Sequence, residues 1–138
     1  MERIPTVGII VLKDENVLLV RHGEKAGHLT GSYGTPGGRI DPGEVAIRAA
    51  QRELEEESGL YVAKKDLIEL PEKYEADLKR KDGNILHSYH TVFVCRIFTG
   101  ELRATNEAAP EWVPIGKLHE MELLPNTENM VKKALEIL

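Results

Sequence analysis

The stretch GRIDPGEVAIRAAQRELEEESGL, Gly38–Leu60, decides how this sequence is read. Asp41-Pro42-Gly43-Glu44 predicts a helix start, with Asp41 as N-cap, Pro42 at the first helical position and Glu44 closing a capping box. Gly59 predicts the end of that helix, as a left-handed cap after Ser58. At 3.6 residues per turn, Ile47, Ala50 and Leu54 fall on one apolar stripe, the core face. Glu53, Glu56 and Glu57 share an arc of about 100° beside that stripe. Glu55 points elsewhere, toward the side bearing Glu44, Arg48 and Arg52.

Three carboxylates at these spacings repel one another by a few tenths of a kcal/mol per pair. They also sit where the helix macrodipole disfavours anions, by roughly 0.3–1 kcal/mol each. One remedy is a solvated face with Arg52 as a neighbouring partner, the common fate of a charge run. The other is a divalent cation, because hard cations such as Mg²⁺ take carboxylate oxygens.

Outward from this helix the chain alternates strands and turns. Thr6–Leu12 and Val17–Val20 read as strands joined by the polar Lys13-Asp14-Glu15-Asn16 break. Gly23–Ser32 reads as a loop, and Thr35-Pro36-Gly37-Gly38 as a turn. Leu60–Val62 and Leu67–Leu70 are short apolar runs, and Tyr74–Lys79 and Ser88–Phe98 read as further strands, with Asp82-Gly83 as a hairpin turn. Trp112-Val113 is a short strand, and Asn126–Leu138 an amphipathic helix with Met130, Val131, Ala134, Leu135 and Leu138 on one stripe. Strands before, between and after two helices predict a layered α/β (α+β) domain.

The 138 residues suit one domain, 1–138, with no linker to divide it. A net charge of −5 argues against a partner that is a nucleic-acid polymer. Glu44–Glu57 alone holds five acids against two bases, more than half of that surplus. The single cysteine excludes an internal disulfide framework or a Cys-rich zinc module. No signal peptide or membrane span is read, so a cytoplasmic protein with no membrane partner is expected.

Gly38, Glu44 and Arg52-Glu53-Leu54-Glu55-Glu56-Glu57-Ser58-Gly59-Leu60 match every fixed position of G-x5-E-x7-R-E-U-x-E-E-x-G-U, where U is apolar. The segment resembles the box of the Nudix hydrolase family, and Pro36-Gly37-Gly38 and Glu111-Trp112-Val113-Pro114 extend the likeness. The resemblance implies an α/β/α sandwich with a mixed β-sheet, the box forming loop–helix–loop. It implies Mg²⁺- or Mn²⁺-dependent hydrolysis of a pyrophosphate bond in a nucleoside diphosphate linked to another group. It assigns metal binding to Glu53, Glu56 and Glu57, one of which also orients or deprotonates water, and a structural pair to Glu44 and Arg52. The backbone at Gly37 or Gly38 completes a metal shell and lets phosphate approach closely.

Family members also recruit an acid from a loop past the long central strand, for which Glu107 is the candidate, in competition with Glu101 and Glu111. Arg21 and His28, near the expected cleft mouth, are candidates for phosphate contact against a plain surface role. His87 and His90, three apart on a strand, point to opposite faces and do not ligate one ion together. Lys79-Arg80-Lys81 reads as a basic hairpin tip that blunts a strand edge. Tyr33, Tyr74, Tyr89 and Phe93 are candidates for stacking a base, with sheet packing as the alternative, and Cys95 reads as a buried small hydrophobe. The absence of subfamily signatures and the small size lean toward a nucleoside triphosphate substrate of the mutator-sanitising type, canonical bases or oxidised ones. ADP-ribose, nucleotide sugars, dinucleoside polyphosphates and a non-catalytic sensor are the rivals. A small-molecule nucleotide partner and a monomer or homodimer are expected.

Overall fold

The computed structural model describes residues 3–22, 31–79, 82–106 and 108–138. The elements among them are β1 (Ile4–Lys13), β2 (Asn16–His22), β3 (Tyr33–Gly34), β4 (Gly37–Arg39), α1 (Ala46–Ser58), β5 (Ile68–Lys79), β6 (Ile85–Cys95), β7 (Ala108–Pro114) and α2 (Thr127–Ile137). Short 3₁₀ helices occupy Lys64–Asp66 and Ile115–Glu120.

β1 organises the sheet. It runs parallel to β6 from Ile4 opposite Ser88 to Val11 opposite Cys95, and antiparallel to β4 through Thr6–Gly8. A two-residue turn, with Asp14 at φ 55°, carries it into antiparallel β2. β2 then pairs with β3 and β7, and β5 lies antiparallel to β6. The sheet is therefore mixed.

Alternation along the strands explains the layers. Val7, Ile9 and Val11 of β1 pack with Ala49, Ala50 and Leu54 of α1. Their neighbours Ile10 and Leu12 pack with Met130, Val131 and Ala134 of α2. β6 divides the same way, Phe93 and Cys95 toward α1, Val92 and Val94 toward α2. A sheet covered on both faces has no polar side to its central strands, which is why β1 reads as a nearly unbroken apolar run.

Several boundaries differ from the sequence reading; β7 runs Ala108–Pro114, longer than Trp112-Val113, and Gly37-Gly38 open strand β4 where a turn is read. The helix begins at Ala46, not at Pro42, because Gly43 adopts φ 81° and Glu44 N–H donates to the Asp41 carbonyl in a turn. The capping-box geometry survives in part: Asp41 N–H donates to Glu44 Oε1 at 3.0 Å. Ile68–Lys79 forms one strand, joining the apolar run that ends at Leu70 to Tyr74–Lys79, with an irregularity between Glu69 and Lys73 around Pro71, which has no N–H for the ladder. β6 starts at Ile85, since the ladder runs up to the Asp82-Gly83 turn, and ends at Cys95, after which Phe98 packs on Trp112 with ring centroids 5.6 Å apart. On α2 only Met130, Val131 and Ala134 of the predicted stripe are buried; Leu135 and Leu138 are exposed. No helix among the described residues is long and apolar enough to cross a membrane.

Candidate active site

β4 places two glycines against α1. Ile9 N–H donates to the Pro36 carbonyl and Ile40 N–H to the Pro5 carbonyl, clamping β4 to β1 at both ends. The fit is tight: a Cβ on Gly37 would lie 2.1 Å from the Val7 carbonyl oxygen, a backbone atom that cannot move aside. Gly37 N–H donates to Glu57 Oε1 at 2.9 Å. A Cβ on Gly38 would lie 2.5 Å from Glu53 Oε1. The structure thus brings Gly37, Gly38, Glu53 and Glu57 into one contact group, with Glu56 on the exposed side of the same turn of helix.

Arg52 ties the group together. Its guanidinium grips Glu44 with two bonds, Nε to Oε2 at 2.8 Å and Nη2 to Oε1 at 2.9 Å. It also donates to the Arg39 carbonyl at 3.0 Å, to Glu53 Oε1 at 3.0 Å and to Glu56 Oε2 at 3.3 Å. The planar five-donor fork of arginine suits this multiple engagement. The bonds from Arg52, then the Asp41 N–H, lower the Glu44 pKa to about 2. Arg52 is held charged far above neutrality by the same partner.

The other acids are not so well served. Burial pushes the Glu57 carboxyl up to about 8, against the Gly37 N–H bond that lowers it, with Glu53 and Glu56 adding repulsion. Burial likewise raises Glu53, partly offset by Arg52. Two carboxylates are therefore held in a place that disfavours their charge. Hard oxygen donors with unmet negative charge fit a divalent cation in their chemistry. They are not preassembled as a cage: among the described residues no three acidic, His or Cys side chains converge on one cation position. Glu53 and Glu56 turn toward Arg52, and Glu57 toward Gly37, so coordination requires side-chain rotation.

The two glycines predict different mutants. Gly38→Ala meets only the flexible end of Glu53, so it is expected to fold with a melting temperature within a few degrees of the parent and to lose activity by displacing that carboxylate. Gly37→Ala meets backbone and is expected to destabilise the sheet. Thermal melts and kcat measured side by side check the contrast; equal stability losses would overturn it.

A cavity of about 240 Å³ shares Gly37, Gly38 and Arg39 with the carboxylate group. Tyr74 of β5, His90 of β6 and Asn126 at the start of α2 contribute to its walls. The His90 ring bonds Thr6 Oγ1 through Nδ1 at 2.6 Å, and burial lowers its pKa to about 4, so it is neutral at physiological pH. The Tyr74 hydroxyl is buried without a partner among the described residues. Arg39 is exposed, and its guanidinium makes no ion pair among the described residues.

The remaining predicted residues lie apart. Arg21 sits exposed on β2 between Tyr33 and Ala109 and is not on the cavity wall. Glu107 and His28 fall outside the described residues, as do Arg80 and Lys81. Glu101 and Glu111 are exposed, Glu111 facing Leu19 in the β2–β7 ladder. His87 bonds Asp77 and Glu75 while His90 bonds Thr6, so the two histidines have separate surroundings. Phe93 is buried in the core beneath α1, and Arg3 covers the Tyr89 ring at 4.9 Å. Cys95 is buried, its thiol pushed up to about 12. Sequence reading passed over Arg39, Thr6 and Asn126. The adjacency of Arg39 to Gly37-Gly38 was the one available signal; the other two reach the cavity only through tertiary pairing.

A mixed sheet between two helical layers, with an acid-rich helix docked on a Gly-Gly strand, defines the Nudix class of fold. The chain matches the NUDIX domain over residues 2–134 and belongs to that family. It is 32% identical over 108 residues to a putative 8-oxo-dGTP diphosphatase 2 of Mycobacterium tuberculosis, covering 78% of this chain and 72% of that protein. It is 30% identical over 106 residues to an ADP-ribose pyrophosphatase of Methanocaldococcus jannaschii, covering 75% of this chain. The chain spans only 58% of that archaeal protein and 31% of a human 8-oxo-dGDP phosphatase that it also matches. Among solved structures, a MutT NUDIX hydrolase from Burkholderia pseudomallei superposes with a TM-score of 0.78 at 25% identity, over 96% of this chain and 98% of that one.

Proposed function

We propose that this chain is a divalent-cation-dependent pyrophosphohydrolase whose substrate is a nucleoside triphosphate, canonical or oxidised. One observation carries the reading: Glu53 and Glu57 are half-buried against the Gly37-Gly38 backbone with their charge disfavoured, beside a cavity with Arg39 on its wall. Glu53, Glu56 and Glu57 would hold Mg²⁺ or Mn²⁺, with the Gly37 carbonyl as a further ligand. Such an ion neutralises charge on the phosphoryl oxygens and lowers the pKa of a bound water. Arg39 and the β4 backbone then position the phosphate chain, since phosphoryl transfer depends mainly on placement and electrostatics. Arg52 keeps Glu53 and Glu56 on the correct side of α1 through bonds anchored at Glu44.

The nucleoside triphosphate preference is supported by the mycobacterial relative's name, and a second reading, ADP-ribose hydrolysis, by the archaeal one's. A panel of nucleoside triphosphates, 8-oxo-dGTP, 8-oxo-dGDP and ADP-ribose, assayed with Mg²⁺ or Mn²⁺ and ranked by kcat/KM, separates them. Release of pyrophosphate and a nucleoside monophosphate from a triphosphate is the expected result. ADP-ribose ranking first would favour the second reading. Tight nucleotide binding without product would make the chain a sensor and sink the catalytic assignment.

A further inference from the structure

We propose that His90, oriented by Thr6, is the residue that reads the nucleobase, donating a hydrogen bond from Nε2 to an acceptor on the base edge. This rests on the reading of the chain as a nucleotide pyrophosphohydrolase and names the group that sets its substrate preference.

The cavity is too small for a whole nucleoside triphosphate: ligand pockets usually span roughly 300–1,000 Å³, against about 240 Å³ here. It accommodates one end of the molecule. The carboxylates claim the phosphate end, because Gly37 and Gly38 touch Glu57 and Glu53 from the same strand that lines the cavity. The uncharged base is left for the interior, where Leu86, Leu124 and Met130 offer apolar surface.

The polar groups in that interior are mostly spoken for. Ser88 Oγ donates to the Ala76 carbonyl, Thr127 Oγ1 to the Leu124 carbonyl and Asn126 Nδ2 to the Glu75 carbonyl. His90 differs. Its ring has one hydrogen bond among the described residues, at Nδ1, which leaves Nε2 for a ligand. The imidazole is neutral, so it offers one donor and one acceptor.

Thr6 decides which nitrogen does which. Its hydroxyl lies 2.6 Å from His90 Nδ1 and 3.5 Å from the Tyr89 carbonyl. Hydroxyl bonds to oxygen run to about 3.0 Å, so the Tyr89 contact is weak and leaves the Thr6 proton free to point at Nδ1, the arrangement the proposal takes. Nδ1 is then the acceptor and Nε2 carries the hydrogen. Every base carries a carbonyl oxygen or an imine nitrogen, so a donor at Nε2 selects by position, favouring the base whose acceptor falls opposite it. Gly8 provides the room: a Cβ there would lie 2.5 Å from Nε2.

The test separates binding from turnover. AMP, GMP, CMP and UMP are titrated calorimetrically into the wild type, His90→Leu, His90→Gln and Thr6→Val, with Mg²⁺ present. The wild type should bind them with base-dependent Kd values. His90→Leu should narrow the best-to-worst ratio about tenfold, as expected for one lost hydrogen bond. His90→Gln, which keeps a side-chain donor, should keep part of the preference, and Thr6→Val should weaken the favoured base selectively. Base-independent binding by the wild type, or an unchanged ratio in His90→Leu with native melting behaviour, would overturn the proposal. Base-dependent binding without hydrolysis of any nucleotide would uphold it while sinking the catalytic reading. Turnover with an unchanged ratio would do the reverse.

Discussion

Glu57→Gln is expected to remove nearly all turnover and, in protein stripped of divalent cations, to raise the melting temperature. The two effects share a cause. Glu57 is held up to about 8 by burial, whereas a free glutamate titrates near 4.3. At pH 7 the unfolded chain carries this carboxylate ionised, and folding must either bury the charge or take up a proton. Each pH unit between the ordinary value and pH 7 costs about 1.4 kcal/mol, on the order of 3 kcal/mol in all. The sign follows from the upward shift. The stability associated with the neutral group is fully present below about pH 4.5 and is lost as pH rises through 8. Glutamine has no such slope, and its Oε1 still accepts the Gly37 N–H bond. Melts of the two proteins in EDTA should therefore agree near pH 4 and diverge toward pH 8, with the variant the more stable. Adding Mg²⁺ should stabilise the wild type more than the variant. Activity should fall by orders of magnitude, because the amide removes the negative charge with which this side chain would hold the cation. A destabilised metal-free variant, or one with full activity, would remove Glu57 from the site.

The acids of α1 were legible because the spacing of Glu53, Glu56 and Glu57 and the Gly59 cap are local properties of one helix. Gly59 adopts φ 84° as expected of a left-handed cap. The helix start was misread because Pro42 and Asp41 signal a first turn as strongly as a cap does, and only Gly43 at φ 81° reveals which is used. The cavity was not legible at all. Thr6 and His90 are 84 positions apart and meet through parallel pairing of β1 with β6, a long-range register that no local pattern encodes. Asn126 reaches the Glu75 carbonyl across 51 positions for the same reason. The raised carboxyls were half legible. Mutual repulsion could be read from spacing, but the larger cause is burial under β4, which depends on how Gly37-Gly38 docks on β1.

Arg52→Ala is expected to cost about 2 kcal/mol of stability at pH 7, a fall of several degrees in melting temperature. Glu44 gives the measure, since Arg52 divides its own bonds among several partners while Glu44 draws its stabilisation chiefly from Arg52. Its pKa falls from 4.5 to about 2; the Asp41 N–H bond supplies part of that displacement and survives the substitution, so at about 1.4 kcal/mol per unit the displacement is an upper bound on the Arg52 share. Solvent screening reduces the share further, because the Glu44 and Arg52 side chains, 18% and 28% exposed, both reach water. Truncation also leaves Glu53 buried without its nearest cation and frees the Arg39 carbonyl, and unpaired buried charge is more damaging than loss of a whole pair. Glu44→Ala in the Arg52→Ala background should therefore cost less than Glu44→Ala alone, a coupling that a double-mutant cycle reads directly. The sign with pH is opposite to that of Glu57. A lowered carboxyl stabilises above about 4.5 and loses that contribution as pH falls through 2, so the gap between wild type and Arg52→Ala should narrow in acid. Arg52→Lys keeps the charge but not the bidentate grip on Glu44 and should fall between. A loss below about 1 kcal/mol, the value of an ordinary surface pair, would mean that Arg52 is a solvated neighbour of these acids and not the anchor that holds Glu53 and Glu56 in place.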